Sequence, residues 1–160
     1  MTPRYTAGMD AERIRASLLT LPHVVETAQW GGLLFRVGDK AIGGKMFVML
    51  PLDEHEGMER SDKARVISYL AGAERYPELL ETEGIFPAPY VARIFWVAVS
   101  GWDVFRKAEW ERELSAAHAL TLAKLPPKVR AALALPAAQQ KKLIAERKKG
   151  LAAKAAAKGR

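Results

Sequence analysis

Three histidines and no cysteine limit the chemistry that the side chains of this 160-residue sequence could perform. Without cysteine there can be no disulfide scaffold, thiolate zinc site, iron–sulfur cluster or cysteine nucleophile. His55 stands among the acids of 53–56, but no second histidine follows at i+4, so we expect no metal there. Neither His23 nor His118 belongs to a serine–histidine–carboxylate motif. We therefore expect no catalytic residues, no cofactor and no metal, and an enzyme is only the third function class considered.

The glycine-rich run 38–46 resembles a phosphate-binding loop at first sight. With Lys45 in the place of the loop lysine, Asp39 stands where the first glycine belongs, and Met46 replaces the Ser or Thr that would hold magnesium. We therefore expect these glycines to form a hairpin turn and either a bulge or a close backbone approach, instead of a nucleotide site.

Positive charge is concentrated at the C-terminal end of the sequence. Residues 124–160 contain eleven Lys and Arg and one acid, which gives +10, so the net charge of +7 leaves −3 for residues 1–123. A basic terminal arm favours polyanions such as nucleic acid, or an anionic membrane surface, although it can also serve only as a solubilising tail. The candidate contacts in this arm are Lys141, Lys142, Arg147, Lys148, Lys149, Lys154 and Lys158.

Two further sets of residues are candidates for binding on the body. Arg36, Lys40 and Lys45 lie near predicted hairpins, and a hairpin with a basic edge can follow phosphates, although it can equally be protected against edge-to-edge pairing. Aromatic rings at strand positions are more often core than platforms for bases. A pocket on the sheet would be lined by Trp30, Tyr90 and Trp96.

The elements that must position these residues can be read from hydrophobic periodicity and turn residues. Asp10 is a predicted N-cap of a first helix, which Pro22 ends. Short β-rich runs separated by glycines then predict an antiparallel meander. The predicted strands are 24–30, 33–37, 41–50, 65–70 and 94–99, with a solvated acidic loop over 53–62 and an extended connector over 87–90.

The second half of the sequence is predicted to be mainly helical. Helices are expected over 73–82, 105–123 and 127–135. Residues 137–158 favour a helix by composition, but their apolar stripe is thin, so we expect partial helix or disorder until a partner is bound. The predicted fold is α+β: an antiparallel sheet of about five strands packed against helices (domain 1–135), followed by a basic, Ala/Lys-rich tail (136–160).

Several motifs occur in an order that resembles the MmcQ/YjbR-like family, over roughly residues 10 to 135. They are Trp30-Gly31, Phe35-Arg36-Val37-Gly38, Lys40, Phe86-Pro87-Ala88-Pro89-Tyr90, Trp96-Val97 and Ala123-Lys124-Leu125-Pro126. In place of the Asn-Lys-Arg-His-Trp-like run of that family, only Arg93 and Trp96 correspond. The resemblance implies a double-wing or frataxin-like topology, and family members are commonly described as DNA-binding on the basis of shape.

Together these observations lead to two function hypotheses of different classes. The first is a small, cytoplasmic, non-catalytic protein that binds duplex DNA through its phosphates, with Arg36, Lys40, Lys45 and Arg93 as body contacts. The alternative is a protein–protein or small-ligand binding module with a solubilising tail. No apolar run is long enough to span a membrane, the first ten residues lack the apolar segment of a secretory signal, and a monomer is favoured.

Overall fold

The strands of the chain form one antiparallel sheet, in the order β1-β2-β3-β4-β6-β5. A computed structural model describes residues 9–51 and 64–158. Its strands are β1 (Val24–Gln29), β2 (Gly32–Val37), β3 (Lys45–Pro51), β4 (Ile67–Leu70), β5 (Ile85–Pro87) and β6 (Trp96–Val99). Its helices are α1 (Ala11–Leu19), α2 (Tyr76–Leu79), α3 (Lys107–Lys124), α4 (Pro127–Leu133) and α5 (Ala137–Lys158). The predicted α+β class and antiparallel sheet are confirmed.

Alternation along the strands divides the apolar residues between two clusters. The larger cluster joins one face of the sheet to the helices, as the burial of Ile67 and Tyr69 with Trp110 and Leu114 of α3 shows. Successive side chains of a strand point to opposite faces, so the neighbours of these residues face the other way. There they form a smaller cluster of Phe86, Ala88, Trp96 and Ala98, against which Met46, Met49 and Leu70 pack.

Tight turns set the register of the first three strands. Trp30 and Gly31 both have positive φ, 54° and 76°, which is the geometry of a two-residue type I′ hairpin turn between β1 and β2. Between β2 and β3 the chain makes a 3-10 turn over Lys40–Ile42, and the third strand therefore begins at Lys45 rather than at residue 41 as predicted.

The structure differs from the sequence prediction in three further elements. The connector over 87–90 is partly a strand, because β5 pairs with β6 and adds a sixth strand. The predicted strand 94–99 begins only at Trp96, since Ala92–Ile94 is a 3-10 turn and Phe95 has a φ of 67°. The helix predicted over 73–82 is reduced to the four residues of α2.

Helices α1, α3 and α4 follow their sequence signals closely. The side chain of Asp10 caps α1 by accepting a hydrogen bond of 2.8 Å from the amide of Arg13. α3 begins after Arg106 and α4 begins at Pro127. α5 is a continuous helix of 22 residues, where partial helix or disorder was expected. In the described ranges, no helix has both the length and the apolar character needed to cross a membrane.

Candidate nucleic-acid interface

The connection between β2 and β3 is a fixed turn that leaves two lysines exposed. Asp39 caps it: its carboxylate accepts a hydrogen bond of 2.8 Å from the amide of Ala41, and its carbonyl accepts one of 2.9 Å from Gly44. A Cβ at Gly44 would lie 1.8 Å from the carbonyl oxygen of Gly38, so only glycine fits there. The glycines of the false phosphate-loop pattern therefore provide the predicted close backbone approach, and Lys40 and Lys45 are exposed beside it.

Helix α4 and the first turns of α5 pack on this connection. The side chain of Leu133 lies 3.1 Å from the position of a Cβ on Gly38. Gln140 at the start of α5 donates hydrogen bonds to the carbonyls of Leu133 and Leu135, at 3.2 and 3.3 Å. Lys148 Nζ lies 3.7 Å from Asp39 Oδ2, and Leu143 and Ile144 pack against the larger cluster.

Beyond Ile144 the helix is exposed to solvent, and Lys148 still contacts the body through its ion pair with Asp39. Every residue from 145 to 158 is exposed, and fourteen residues of α-helix extend for about 21 Å. The candidate bases of α5 are all exposed: Lys141, Lys142, Arg147, Lys148, Lys149, Lys154 and Lys158. Glu146 is the single acid in α5, so the helix carries seven bases, one acid and a net charge of +6.

Three pairs of these bases are seven residues apart: Lys141 with Lys148, Lys142 with Lys149, and Arg147 with Lys154. Seven residues are almost two helical turns, so each pair lies on one line along the helix. Lys142 and Lys149 lie about 200° around the helix from the midpoint of Leu143 and Ile144, given about 100° per residue. Since Leu143 and Ile144 face the body, the row of Lys142 and Lys149 faces away from it.

Arg36 and Arg93 lie toward the same end of the sheet as Lys40 and Lys45. Arg36 is half-buried near the end of β2, and its partner in the register is Met46 of β3. Val48, Tyr69 and Val97 share one row, so the starts of β3 and β6 lie at one end of the sheet, on either side of β4. Arg93 precedes β6 and is exposed.

The surroundings of Arg93 are less basic than those of Lys40. Tyr76 lies between Glu74 and Glu78 in the sequence, and its ring makes an edge-to-face contact with Phe95, with the ring centroids 5.7 Å apart. This brings an acidic segment close to the turn that carries Arg93. Among the described residues, the candidate bases are concentrated on α5, beside Lys40 and Lys45, and we call this set the α5 surface.

The structure does not bring together the three aromatic residues predicted to line a pocket. Trp30 is 67% exposed in the β1–β2 turn, next to the row that contains Pro51, at the end of the sheet opposite to Lys45. Trp96 is buried in the smaller cluster, and β2, β3 and β4 separate β1 from β6, about 20 Å at the usual strand spacing. Tyr90 is exposed near Trp96, since Ala88 donates a hydrogen bond to the carbonyl of Trp96.

A buried polar group that the sequence analysis missed lies under the sheet. The hydroxyl of Tyr69 donates a hydrogen bond of 2.9 Å to Glu113, and Arg75 also pairs with that carboxylate. Burial, first, and then the charge of Glu113 raise the pKa of the Tyr69 phenol. Glu113 interrupts the apolar side of α3 between Trp110 and Leu114, and this was the available signal. Tyr69 and Glu113 are buried, and the partly exposed Arg75 covers the carboxylate, so we assign the group a structural role.

The residues described form no cluster of side chains that could ligate a metal ion. Among them, no group of three or more His, Asp and Glu side chains lies close enough together to hold a metal ion. His55 lies outside the described residues, as does the whole acidic loop predicted over 53–62. Burial lowers the pKa of Arg65, whose Nη1 is enclosed without a hydrogen-bond partner.

Comparison with known proteins places the chain in a family. No curated protein matches its sequence. The fold is similar to that of the crystal structure of protein DR2400 from Deinococcus radiodurans, a DUF419 domain. The TM-score is 0.63 and the identity 23%, over 79% of this chain and 89% of that one. The family model named YjbR matches residues 19–120, more than half of the chain. As the order of its motifs indicated, the chain belongs to the YjbR family.

Proposed function

We propose that this protein binds duplex DNA without catalysis, by contacting phosphates through the α5 surface. The observation that carries the proposal is the exposed half of α5. From residue 145 to 158 it offers five exposed bases and one acid, and within the described residues only Lys148 of these bases forms an ion pair with the body, through Asp39. Bases held on a helix that projects into solvent can reach a polyanion without rearrangement of the fold.

The dimensions of α5 suit this role. Duplex DNA carries one phosphate charge for about each 1.7 Å of its axis, so a projecting helix of about 21 Å runs past roughly a dozen charges. Lys142 and Lys149 form the row that faces away from the body. Lys40 and Lys45 lie near the point where Lys148 meets the β2–β3 connection. Contacts of this kind carry no sequence information, so the binding is to the backbone.

The test compares two double variants with the same change in charge. K142Q/K149Q removes the outward row of α5, and K107Q/R112Q removes two exposed bases at the start of α3. Binding of the full chain to labelled duplex DNA is measured by fluorescence anisotropy between 50 and 200 mM salt. The slope of log K against log salt is negative, and each lost phosphate contact reduces its magnitude by about 0.9. The magnitude should therefore fall by about 2 in K142Q/K149Q and almost not at all in the control.

Two results would contradict the proposal. Equal losses in both variants would mean that only the net charge matters. No binding by the unaltered chain at 50 mM salt would leave α5 as a solubilising tail and favour the binding-module alternative. Neither pair of side chains is buried, so we expect both variants to keep their helices. Circular dichroism of each variant checks this.

A further inference from the structure

A groove lies between the C-terminal half of α3, α4 and the residue that precedes β1. Its volume is about 400 Å³, and most of its lining is apolar, including Ala119 and Leu122 of α3 and Leu133 of α4. His23, Ala123, Arg130 and Ala134 complete the lining, and no acidic residue contributes to it. The volume is within the range of small-molecule sites, about 300–1,000 Å³.

His23 is held in place by backbone interactions on both sides. Its φ of 65° lies in the left-handed region, which a residue with a Cβ rarely adopts. The amide of Gly38 donates a hydrogen bond of 2.8 Å to the carbonyl of His23. The buried ring of His118 places Nε2 2.7 Å from the carbonyl oxygen of Pro22. These bonds keep an exposed imidazole at the groove despite the unfavourable conformation.

Arg130 supplies a permanent charge on the α4 side. It is exposed, and it forms no ion pair with any residue in the described part of the chain. An apolar groove with a free guanidinium and an imidazole matches a ligand with an apolar body and one anionic group. A ligand that is only an anion would leave the apolar lining unused.

We propose that this groove binds a small amphipathic carboxylate, with its alkyl or aromatic part between α3 and α4 and its anionic group at Arg130 and His23. The inference does not depend on DNA binding, because the groove uses none of the bases of α5. Leu133 takes part in the groove and also lies against Gly38, so an occupied groove adjoins the β2–β3 connection.

The first test uses the full chain and two fluorescent probes with the same ring system. Anilinonaphthalene sulfonate has an anionic group, and phenylnaphthylamine has none. The anionic probe should bind more tightly, and decanoate should displace it. Equal affinity for both probes, or no displacement by decanoate, would overturn the proposal. Displacement by inorganic phosphate at the same concentration would also overturn it, since it would show a site for phosphate alone.

Variants separate the charged part of the site from its apolar part. Arg130→Gln should weaken binding of the anionic probe by about tenfold and leave the neutral probe unchanged, because one charge-assisted hydrogen bond is lost. Arg112→Gln, an exposed arginine of α3 outside the groove, is the matched control. Equal effects of these two substitutions on the anionic probe would contradict a role for Arg130.

Two further substitutions distinguish a loss of probe binding from a loss of folding. Ala123→Phe adds a ring to an exposed lining position of α3 and should remove binding of both probes. His23→Gly deletes the imidazole at a position that glycine suits better, so it should weaken binding of the anionic probe while the melting temperature stays equal or rises. Unchanged binding in His23→Gly and Ala123→Phe would place the probe elsewhere.

Discussion

Lys148 Nζ lies 3.7 Å from the carboxylate of Asp39, and this ion pair joins α5 to the β2–β3 connection. Lys148 is 64% exposed, so the pair contributes only about 0–1 kcal/mol to stability. Its greater effect is on the binding of anions, because it places one carboxylate inside the α5 surface, near Lys40 and Lys45. A phosphate that approaches Lys148 has to compete with Asp39.

Replacing Asp39 with Asn should therefore raise the affinity for duplex DNA. The amide oxygen of Asn can still accept the hydrogen bond from Ala41, so the 3-10 turn is kept. We expect a gain of about two- to fivefold at low salt, which is what removing one exposed charge contact is worth, and a smaller gain at 200 mM. Glu111→Gln, at an exposed position of α3, is the control in anisotropy titrations. A gain of the same size in Glu111→Gln would show that the site of the charge is irrelevant.

The Tyr69–Glu113 pair predicts how stability depends on alkaline pH. The pKa of the Tyr69 phenol is raised in the folded state, whereas in the unfolded chain it stays near 10. Above about pH 10 the unfolded chain loses this proton and the folded chain keeps it, so unfolding becomes easier by about 1.4 kcal/mol for each pH unit. Below pH 10 the contribution is fully present.

Urea unfolding of the full chain between pH 8 and 11 measures this effect. Tyr69→Phe should be less stable than the unaltered chain at pH 8, by about 1–3 kcal/mol, because the hydrogen bond to the Glu113 carboxylate is lost. It should also lose less stability as the pH rises. Tyr90→Phe removes a phenol that is 80% exposed and should keep the alkaline loss, since Tyr69 remains. Parallel pH profiles for all three proteins would contradict this assignment.

Elements with strong local signals could be predicted from the sequence. The Asp10 cap, the glycines beside Trp30 and Lys45, and Pro127 at the start of α4 act over a few residues, and each one marks an element boundary in the structure. Strand β5 could not be found in this way. It has only three residues and ends on Pro87, so its existence depends on pairing with β6, which is distant in sequence.

The candidate site was predictable only in part for the same reason. The excess of basic residues in the tail is a property of composition, and it was found. That α5 would be continuous, and that Leu143 and Lys148 would meet the body, depends on tertiary packing. The groove beside His23 joins the residue before β1 to the distant, consecutive helices α3 and α4, and neither the positive φ of His23 nor the hydrogen bond from His118 to Pro22 has a local signal.

The ion pair of Arg15 and Glu26 connects α1 to β1 and predicts an acid dependence. The guanidinium donates a hydrogen bond of 2.8 Å to the carboxylate, and this bond holds the pKa of Glu26 below its usual value. A lowered pKa means that the stabilisation is present above the unfolded value of about 4.5 and is lost as the pH falls through the folded value. Arg15→Gln should therefore be less stable than the unaltered chain at pH 7, and the difference should shrink toward pH 3.

The measurement is urea unfolding of both proteins at pH 7 and pH 3. Arg13→Gln is unsuitable as a control because Arg13 interacts with Asp10 at the cap of α1. Arg112→Gln removes an exposed arginine far from Glu26 in sequence and serves instead. A difference between Arg15→Gln and the unaltered chain that is the same at both pH values would exclude Glu26 as the titrating partner.

Gly150 tests whether the projecting half of α5 acts as a helix. A Cβ at this position would meet no atom within 4 Å, and glycine costs about 1 kcal/mol relative to alanine inside a helix. Gly150→Ala should raise the helical signal in circular dichroism. It should also tighten DNA binding modestly, because a helix that is already ordered loses less conformational entropy on binding. Gly150→Pro should break the helix before Lys154 and Lys158 and weaken binding. If both variants bind as tightly as the unaltered chain, those two lysines act without the helix, and the alignment of bases along α5 has no role beyond Lys149.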